Sequence, residues 1–207
     1  EARTSIEHIE RIWPEVAIKL ITDVITFPHM LGRLQGLRET PFDQTLFLDT
    51  DCWLVEPVPE LFEVLNRFDL ALPLSDWRKV YQTDVPECFY DVCPAVLAYR
   101  NSEGFQEFLN DWERRFRKDH ERLRGRSHPD IPWFHSQPSF TEALYHSDLR
   151  FAILGQEYFW TGTGYVQQKV KIVHKRPSPA EAAERINVAV GRPRTKLLFG
   201  EVQVWKA

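Results

Sequence analysis

Residues 45–55 read Thr45-Leu46-Phe47-Leu48-Asp49-Thr50-Asp51-Cys52-Trp53-Leu54-Val55, or TLFLDTDCWLV. Thr45 to Leu48 have the β-branched and apolar character of a strand meant for complete burial. Two carboxylates follow at once, Asp49 and Asp51, separated by one threonine. An unpaired buried carboxylate is costly, so a chain that ends a core strand in two of them must supply a cation, hydrogen bonds or solvent. Side chains at i and i+2 of a strand point to the same side, so Asp49 and Asp51 can converge on one point while Thr50 faces away. That point is a candidate metal site.

The surrounding pattern sets the pair in an α/β chain. Ile6, Ile9 and Trp13 form a helical stripe closed by Pro14, and Val16 to Ile21 reads as a buried strand ending at Asp23. A second helix is expected around Leu31 to Arg38, and a third carries Leu61, Leu65 and Phe68 on one face behind Pro59. Leu70 to Leu74 and Pro94 to Tyr99 read as strands, with Asn101 or Ser102 capping a helix striped by Phe105, Phe108, Leu109, Trp112 and Phe116. A helix starting at Pro138 turns Phe140, Ala143 and Leu144 inward. Strands at Arg150 to Leu154 and Val170 to Lys175 follow, then a capping box at Ser178 whose helix Gly191 closes. Strands alternating with helices at this spacing predict βαβ units and a mostly parallel, Rossmann-like central sheet flanked by helices. Ligands then bind beyond the strand C-terminal ends, where both Asp23 and the Asp49/Asp51 pair fall.

Bulk properties narrow the function. With 207 residues, 43% hydrophobic and 27% charged, the chain fits a single globular domain. A net charge of −4 excludes a general nucleic-acid binder and requires local basic groups or a metal to hold any anionic ligand. The basic run from Arg114 to Arg126 is interleaved with Asp119 and Glu121 and reads as a solvated helix face. Cys52, Cys88 and Cys93 are odd in number and lack metal-ligand spacing, which favours free thiols in a reducing, cytoplasmic compartment. No apolar run approaches the roughly 18 residues of a membrane span, so no transmembrane segment is expected.

Asp49 and Asp51 are hard oxygen ligands suited to Mn²⁺ or Mg²⁺ bridging to a diphosphate. A plain turn cap paired with an arginine is the competing reading for an isolated D-x-D. His174, at the end of the strand that carries Val170 and Ile172 on the same face, offers a third ligand.

At this point the chain resembles a family. TLFLDTDCWLVEPVPELFEVLNRFDLALPL is similar to the D-x-D region of nucleotide-diphospho-sugar glycosyltransferases of the GT-A fold, and most similar to the retaining families related to bacterial galactosyltransferases and glycogenins. VLAYRNSEGFQEFLNDW resembles the segment after their acceptor-side strand, HSQPSFTEAL their D-Q-x-x-(F/L) segment, and VKIVHKR the late strand bearing their metal histidine. The resemblance runs from Thr4 to Arg176, most of the chain.

It implies a metal-dependent glycosyltransferase that takes a sugar from a nucleotide diphosphate donor, a UDP-sugar, and passes it with retention to a sugar, lipid or protein acceptor. Asp49 would touch the ribose and the Mn²⁺ (or Mg²⁺), Asp51 and His174 would complete the protein ligands, and Gln137 would face the anomeric carbon. Arg33 and Asp23 would join Asp49 in binding the nucleotide sugar. The fold's first strand would lie upstream of Glu1. Departures stand at Cys93-Pro94-Ala95-Val96, where the family has Asn-x-Gly-Val, and at Ser136, where it has Asp. Two alternatives remain: a haloacid-dehalogenase-type phosphatase with Asp49 as nucleophile and Asp51 as general acid, and a sugar-nucleotide binding domain of the same fold without transfer activity.

Overall fold

In the computed structural model, residues 2–21, 29–75, 85–123, 136–161 and 169–174 are described. They form α1 (Ala2–Ile12), α2 (His29–Arg38), β1 (Gln44–Leu48), β2 (Trp53–Leu54), α3 (Glu60–Val64), β3 (Leu70–Pro73), β4 (Val96–Arg100), α4 (Glu103–Leu123), α5 (Gln137–Tyr145), β5 (Phe151–Leu154) and β6 (Ile172–Val173), with a 3₁₀ turn at Gln156–Tyr158. The class is α/β, and the chain falls into two compact units. One comprises Glu1–Ile18, Leu48–Glu60 and Leu154–Ala207, and the other Lys19–Phe47 and Leu61–Ile153.

The larger unit is built on a four-stranded sheet in the order β1-β4-β3-β5. Its β3–β4 pair is antiparallel, with Leu70 opposite Tyr99 and Ala71 opposite Ala98. Helices cover the sheet because their stripes are apolar. Phe105, Phe108, Leu109, Trp112 and Phe116 of α4 are all buried, as are Phe140, Ala143 and Leu144 of α5. Trp112 meets Phe140 edge to face at 4.6 Å, and Tyr99 stacks on Phe105 at 4.2 Å, geometries that aromatic quadrupoles favour. The Tyr99 hydroxyl is buried at no polar cost, since it donates to the Leu37 carbonyl at 3.0 Å. Of the two candidate caps for α4, Ser102 does the work: its Oγ accepts from the Phe105 N–H at 3.2 Å.

The described part of the basic run, Arg114 to Arg122, lies on α4 among acidic residues; Arg124 and Arg126 lie outside the described residues. Arg115 pairs with Asp111 at 2.6 Å, Arg117 with Glu113 at 2.6 Å and Arg122 with Asp119 at 3.0 Å. Arg114 also pairs with Asp111. These are helical i, i+3 and i, i+4 spacings, so the charges satisfy one another along the helix.

Two strand expectations need correction. Val16 to Ile21 is irregular chain, with Ile18 36% and Leu20 43% exposed. Apolar and β-branched composition makes a strand possible, but only a hydrogen-bonded neighbour makes one real, and no described strand pairs there. β1 is half-buried along its length, where complete burial was expected, because it lies at the edge of the four-stranded order. Asp23 and the capping box at Ser178 with its helix to Gly191 lie outside the described residues.

In the smaller unit β2 and β6 pair antiparallel, Trp53 opposite Val173 and Leu54 opposite Ile172. Trp53, Trp160, Val170 and Val173 make its apolar cluster. The α1 helix turns His8 inward while the expected stripe of Ile6, Ile9 and Trp13 is half-buried. His8 meets Trp53 edge to face at 5.5 Å, and its Nε2 donates to the Leu54 carbonyl at 2.7 Å while Nδ1 accepts from Arg11 at 3.1 Å. Both ring nitrogens are thus satisfied, Nε2 as donor and Nδ1 as acceptor.

Candidate metal centre

The chain does not run straight through the two aspartates. After Leu48 it turns, and the Cys52 N–H donates to the Asp49 carbonyl at 2.9 Å, closing a four-residue β-turn. Asp49 and Asp51 are therefore the first and third residues of a turn rather than same-side neighbours on a strand. The turn presents Asp51 half-exposed, leaves Asp49 half-buried and sends Cys52 into the interior at 1% exposure.

His174 comes to this turn from the end of β6. Its backbone N–H donates to the Trp160 carbonyl at 2.9 Å, and its ring stacks on Phe159 with centroids 4.6 Å apart. These contacts fix the imidazole with 5% of its surface exposed and bring Nε2 to 3.5 Å from Asp51 Oδ1. Nδ1, the other ring nitrogen, is buried with no hydrogen-bond partner among the described residues.

One ligand atom from each of Asp51, Cys52 and His174 lies within 4.8 Å of the others. Two of these residues were read from the sequence and one was not. Spacing arithmetic between cysteines cannot find Cys52, but its place directly after a D-x-D is a local signal that the turn brings it into the cluster. The donor set of carboxylate, imidazole and thiol fits a divalent first-row ion. It fits Mn²⁺ better than Mg²⁺, which prefers oxygen donors alone and gives up its water reluctantly.

A charged brace flanks the turn within the same unit. Glu60 Oε1 accepts from the Tyr158 hydroxyl at 2.7 Å and from Lys171, and Lys171 also lies 3.5 Å from Glu56, which pairs with Lys169. Burial pushes the Glu60 carboxyl up, but the hydrogen bonds from Lys171 and Tyr158 together outweigh it and hold the group below its ordinary value. Burial and the Glu60 carboxylate push the Tyr158 phenol up to about 12. A folded value held below the unfolded one stabilises the fold above the unfolded pKa, and that contribution disappears as pH falls through the folded value. Glu60→Gln should therefore melt lower than the parent at neutral pH and lose less on acidification between about pH 5 and pH 3, measured by thermal denaturation across that range.

The remaining sequence candidates belong to the larger unit. Arg33, half-buried on α2, has its guanidinium 5.6 Å from the centroid of the Phe47 ring on β1, a cation–π distance. Gln137 opens α5, with Pro138 in the first turn and Ser136 as N-cap. Its Nε2 is buried with no hydrogen-bond partner among the described residues. Around it the backbone is tied down, because the Ser136 carbonyl accepts from Ser139 Oγ at 2.8 Å, from Trp112 Nε1 at 3.4 Å and from the Phe140 N–H at 3.2 Å.

No protein-family model matches the sequence, and no curated protein does. Solved structures do match. An active-site glutamine-to-glutamate mutant of LgtC is 13% identical and superposes over 91% of this chain and 90% of its own, with a TM-score of 0.54. The galactosyltransferase LgtC in complex with donor and acceptor sugar analogues is 12% identical over 97% of this chain and 92% of its own, with a TM-score of 0.56. Mouse xyloside xylosyltransferase 1 is 12% identical over 85% of this chain and 73% of its own, and its TM-score of 0.43 is too low to bear on the fold. Agreement over nine-tenths of both chains, at an identity too low to speak for anything but architecture, gives this chain the GT-A fold.

Proposed function

We propose that this chain is a metal-dependent glycosyltransferase that moves a sugar, with retention, from a nucleotide diphosphate donor of the UDP-sugar type to an acceptor. The observation that carries the reading is the D-x-D turn meeting a buried histidine, with His174 Nε2 3.5 Å from Asp51 Oδ1, on a GT-A fold. Asp49, Asp51 and His174 would hold Mn²⁺, and when bound the ion supplies Lewis-acid stabilisation of the departing diphosphate worth several kcal/mol. Asp49 would also accept a hydrogen bond from the ribose, and Arg33 and Asp23 would bind the nucleotide sugar with it. Gln137 would act at the sugar's reacting carbon, where a polar amide is most valuable as positive charge develops. The description of a neighbouring LgtC structure as an active-site glutamine mutant supports giving Gln137 that role.

The phosphatase alternative expects Thr or Val at position 53. That position holds Trp53, 3% exposed and packed edge to face on His8. The transfer-deficient alternative rests on Ser136 and Cys93-Pro94-Ala95 alone.

A calorimetric titration of a nucleoside diphosphate with and without Mn²⁺ tests the reading. A protein of net charge −4 with clustered carboxylates should take the diphosphate only with a cation between them. Equal affinity in the two titrations would overturn the proposal. The outer face of α4 provides the control. Arg122, whose side chain is 41% exposed beside the buried Asp119, should be replaceable by Ser with donor affinity unchanged in the same calorimeter.

A further inference from the structure

Cys52 has no part in the reading above, yet its thiol sits with two of the proposed cation ligands. We infer that Asp51, Cys52 and His174 form a site for a thiophilic divalent cation, Zn²⁺ being the ordinary member of that class, which competes with Mn²⁺ at the D-x-D turn. The inference deepens the proposed function and rests on its reading of Asp51 and His174 as cation ligands.

Geometry comes first. One carboxylate oxygen, the sulfur and one imidazole nitrogen all lie within 4.8 Å of one another. Sulfur and nitrogen bound tetrahedrally to one Zn²⁺ lie about 3.5 Å apart, given Zn–S near 2.3 Å and Zn–N near 2.0–2.1 Å. Side-chain adjustment of about an ångström therefore closes the set. The Cys52 N–H bond to the Asp49 carbonyl fixes the turn from which both the thiol and the Asp51 carboxylate project.

The surroundings hold the imidazole in place for an ion. His174 is 5% exposed and stacked on Phe159, and its Nε2 lies 3.5 Å from Asp51 Oδ1. Asp51 lies on the solvent side with 47% of its side chain exposed, so an ion can reach the buried sulfur past it.

Chemistry then decides which ions are favoured. Mn²⁺ stands at the weak end of the affinity order for nitrogen and oxygen donors, and thiolate widens the gap in favour of Zn²⁺. The Cys52 proton leaves to solvent as the sulfur binds, and the remaining coordination positions stay open to water. A single buried sulfur thus converts a turn suited to Mn²⁺ into one that discriminates by metal softness. Excess Zn²⁺ would hold the site in a form less suited to exchanging a diphosphate.

The test is Cd²⁺ titration of the full reduced chain, read by thiolate-to-metal charge-transfer absorption in the ultraviolet. A saturable band is expected in the parent and in Cys88→Ser/Cys93→Ser, and it should disappear in Cys52→Ser. Cd²⁺ affinity should fall on the order of a hundredfold in Cys52→Ser, whereas Mn²⁺ affinity by calorimetry should change by less than about threefold. Should serine at this buried position prevent folding, Asp51→Asn at the half-exposed position serves in its place. It should keep the band while weakening Cd²⁺ by on the order of tenfold. No saturable band in the parent, or a band that persists in Cys52→Ser, overturns the inference, as does an Asp51→Asn affinity equal to the parent's. A Cys52-dependent band in a protein that binds diphosphate equally well without Mn²⁺ would leave the cation site standing and sink the transferase reading alone.

Discussion

Asp51→Asn is expected to abolish Mn²⁺-dependent binding of a nucleoside diphosphate and, with it, any turnover of a nucleotide sugar. The substitution keeps the size and planarity of the side chain and removes the charge that holds a divalent ion. The carboxylate faces His174 Nε2 at 3.5 Å, so its replacement leaves the imidazole without its anionic companion in the cluster. A neutral amide cannot offset the cation's loss of hydration, and without the cation a diphosphate meets a protein of its own sign. Folding should survive, because the side chain is about half-exposed at a turn. The measurement is paired: calorimetry with Mn²⁺ and diphosphate, and donor hydrolysis by the same preparation, with a thermal melt to show that the fold is intact. A variant that melts like the parent, yet binds the Mn²⁺-diphosphate pair with unchanged affinity, would remove Asp51 from the metal site.

What the sequence made legible follows the kind of force involved. The stripes of α4 and α5 were readable because burial of Phe105, Phe108, Trp112 and Phe140 is a matter of helical period, which one segment carries by itself. The α2 helix and the strands at Leu70 and Val96 were readable for the same local reason. Val16 to Ile21 was not, because a strand needs a partner from elsewhere in the chain and composition cannot supply one. At the site, the chemistry of Asp51 and His174 could be read one residue at a time, but their meeting depends on the β2–β6 pairing of Trp53 with Val173, which brings His174 to the turn. The turn itself was misread. A strand after Leu48 would have alternated its side chains, whereas the Cys52 to Asp49 backbone bond reverses the chain and adds the thiol to the cluster. The burial of His8 on α1 likewise depends on a partner from elsewhere in the chain, the Leu54 carbonyl, which the helix's own period does not reveal.

Gln137→Ala is expected to slow sugar transfer by roughly a hundredfold while leaving donor affinity nearly unchanged, the reverse of the Asp51 pattern in its effect on binding. An amide carries no net charge and cannot hold a divalent ion, so its removal should not touch the metal-diphosphate interaction. What it can do is present a dipole to a carbon on which positive charge appears only as the glycosidic bond to the diphosphate lengthens. An interaction made in the transition state alone changes kcat and leaves binding in place, and loss of one such contact typically raises the barrier by about 3 kcal/mol. The local structure suits a fixed dipole. Gln137 begins α5, its neighbour Ser136 is held through its carbonyl by Ser139 and Trp112, and its own Nε2 is buried with no acceptor among the described residues. Keeping a buried amide nitrogen unmet costs free energy in the resting protein, and a sugar oxygen would recover it. Some of that recovery would appear as ground-state binding, so a small loss of donor affinity, within about threefold, is compatible with the role. Single-turnover kinetics at saturating donor and Mn²⁺, set beside calorimetric donor affinity, separates the two effects. If Gln137→Ala abolishes donor binding while transfer per bound donor stays normal, the side chain is a binding contact and its assignment to the reacting carbon falls.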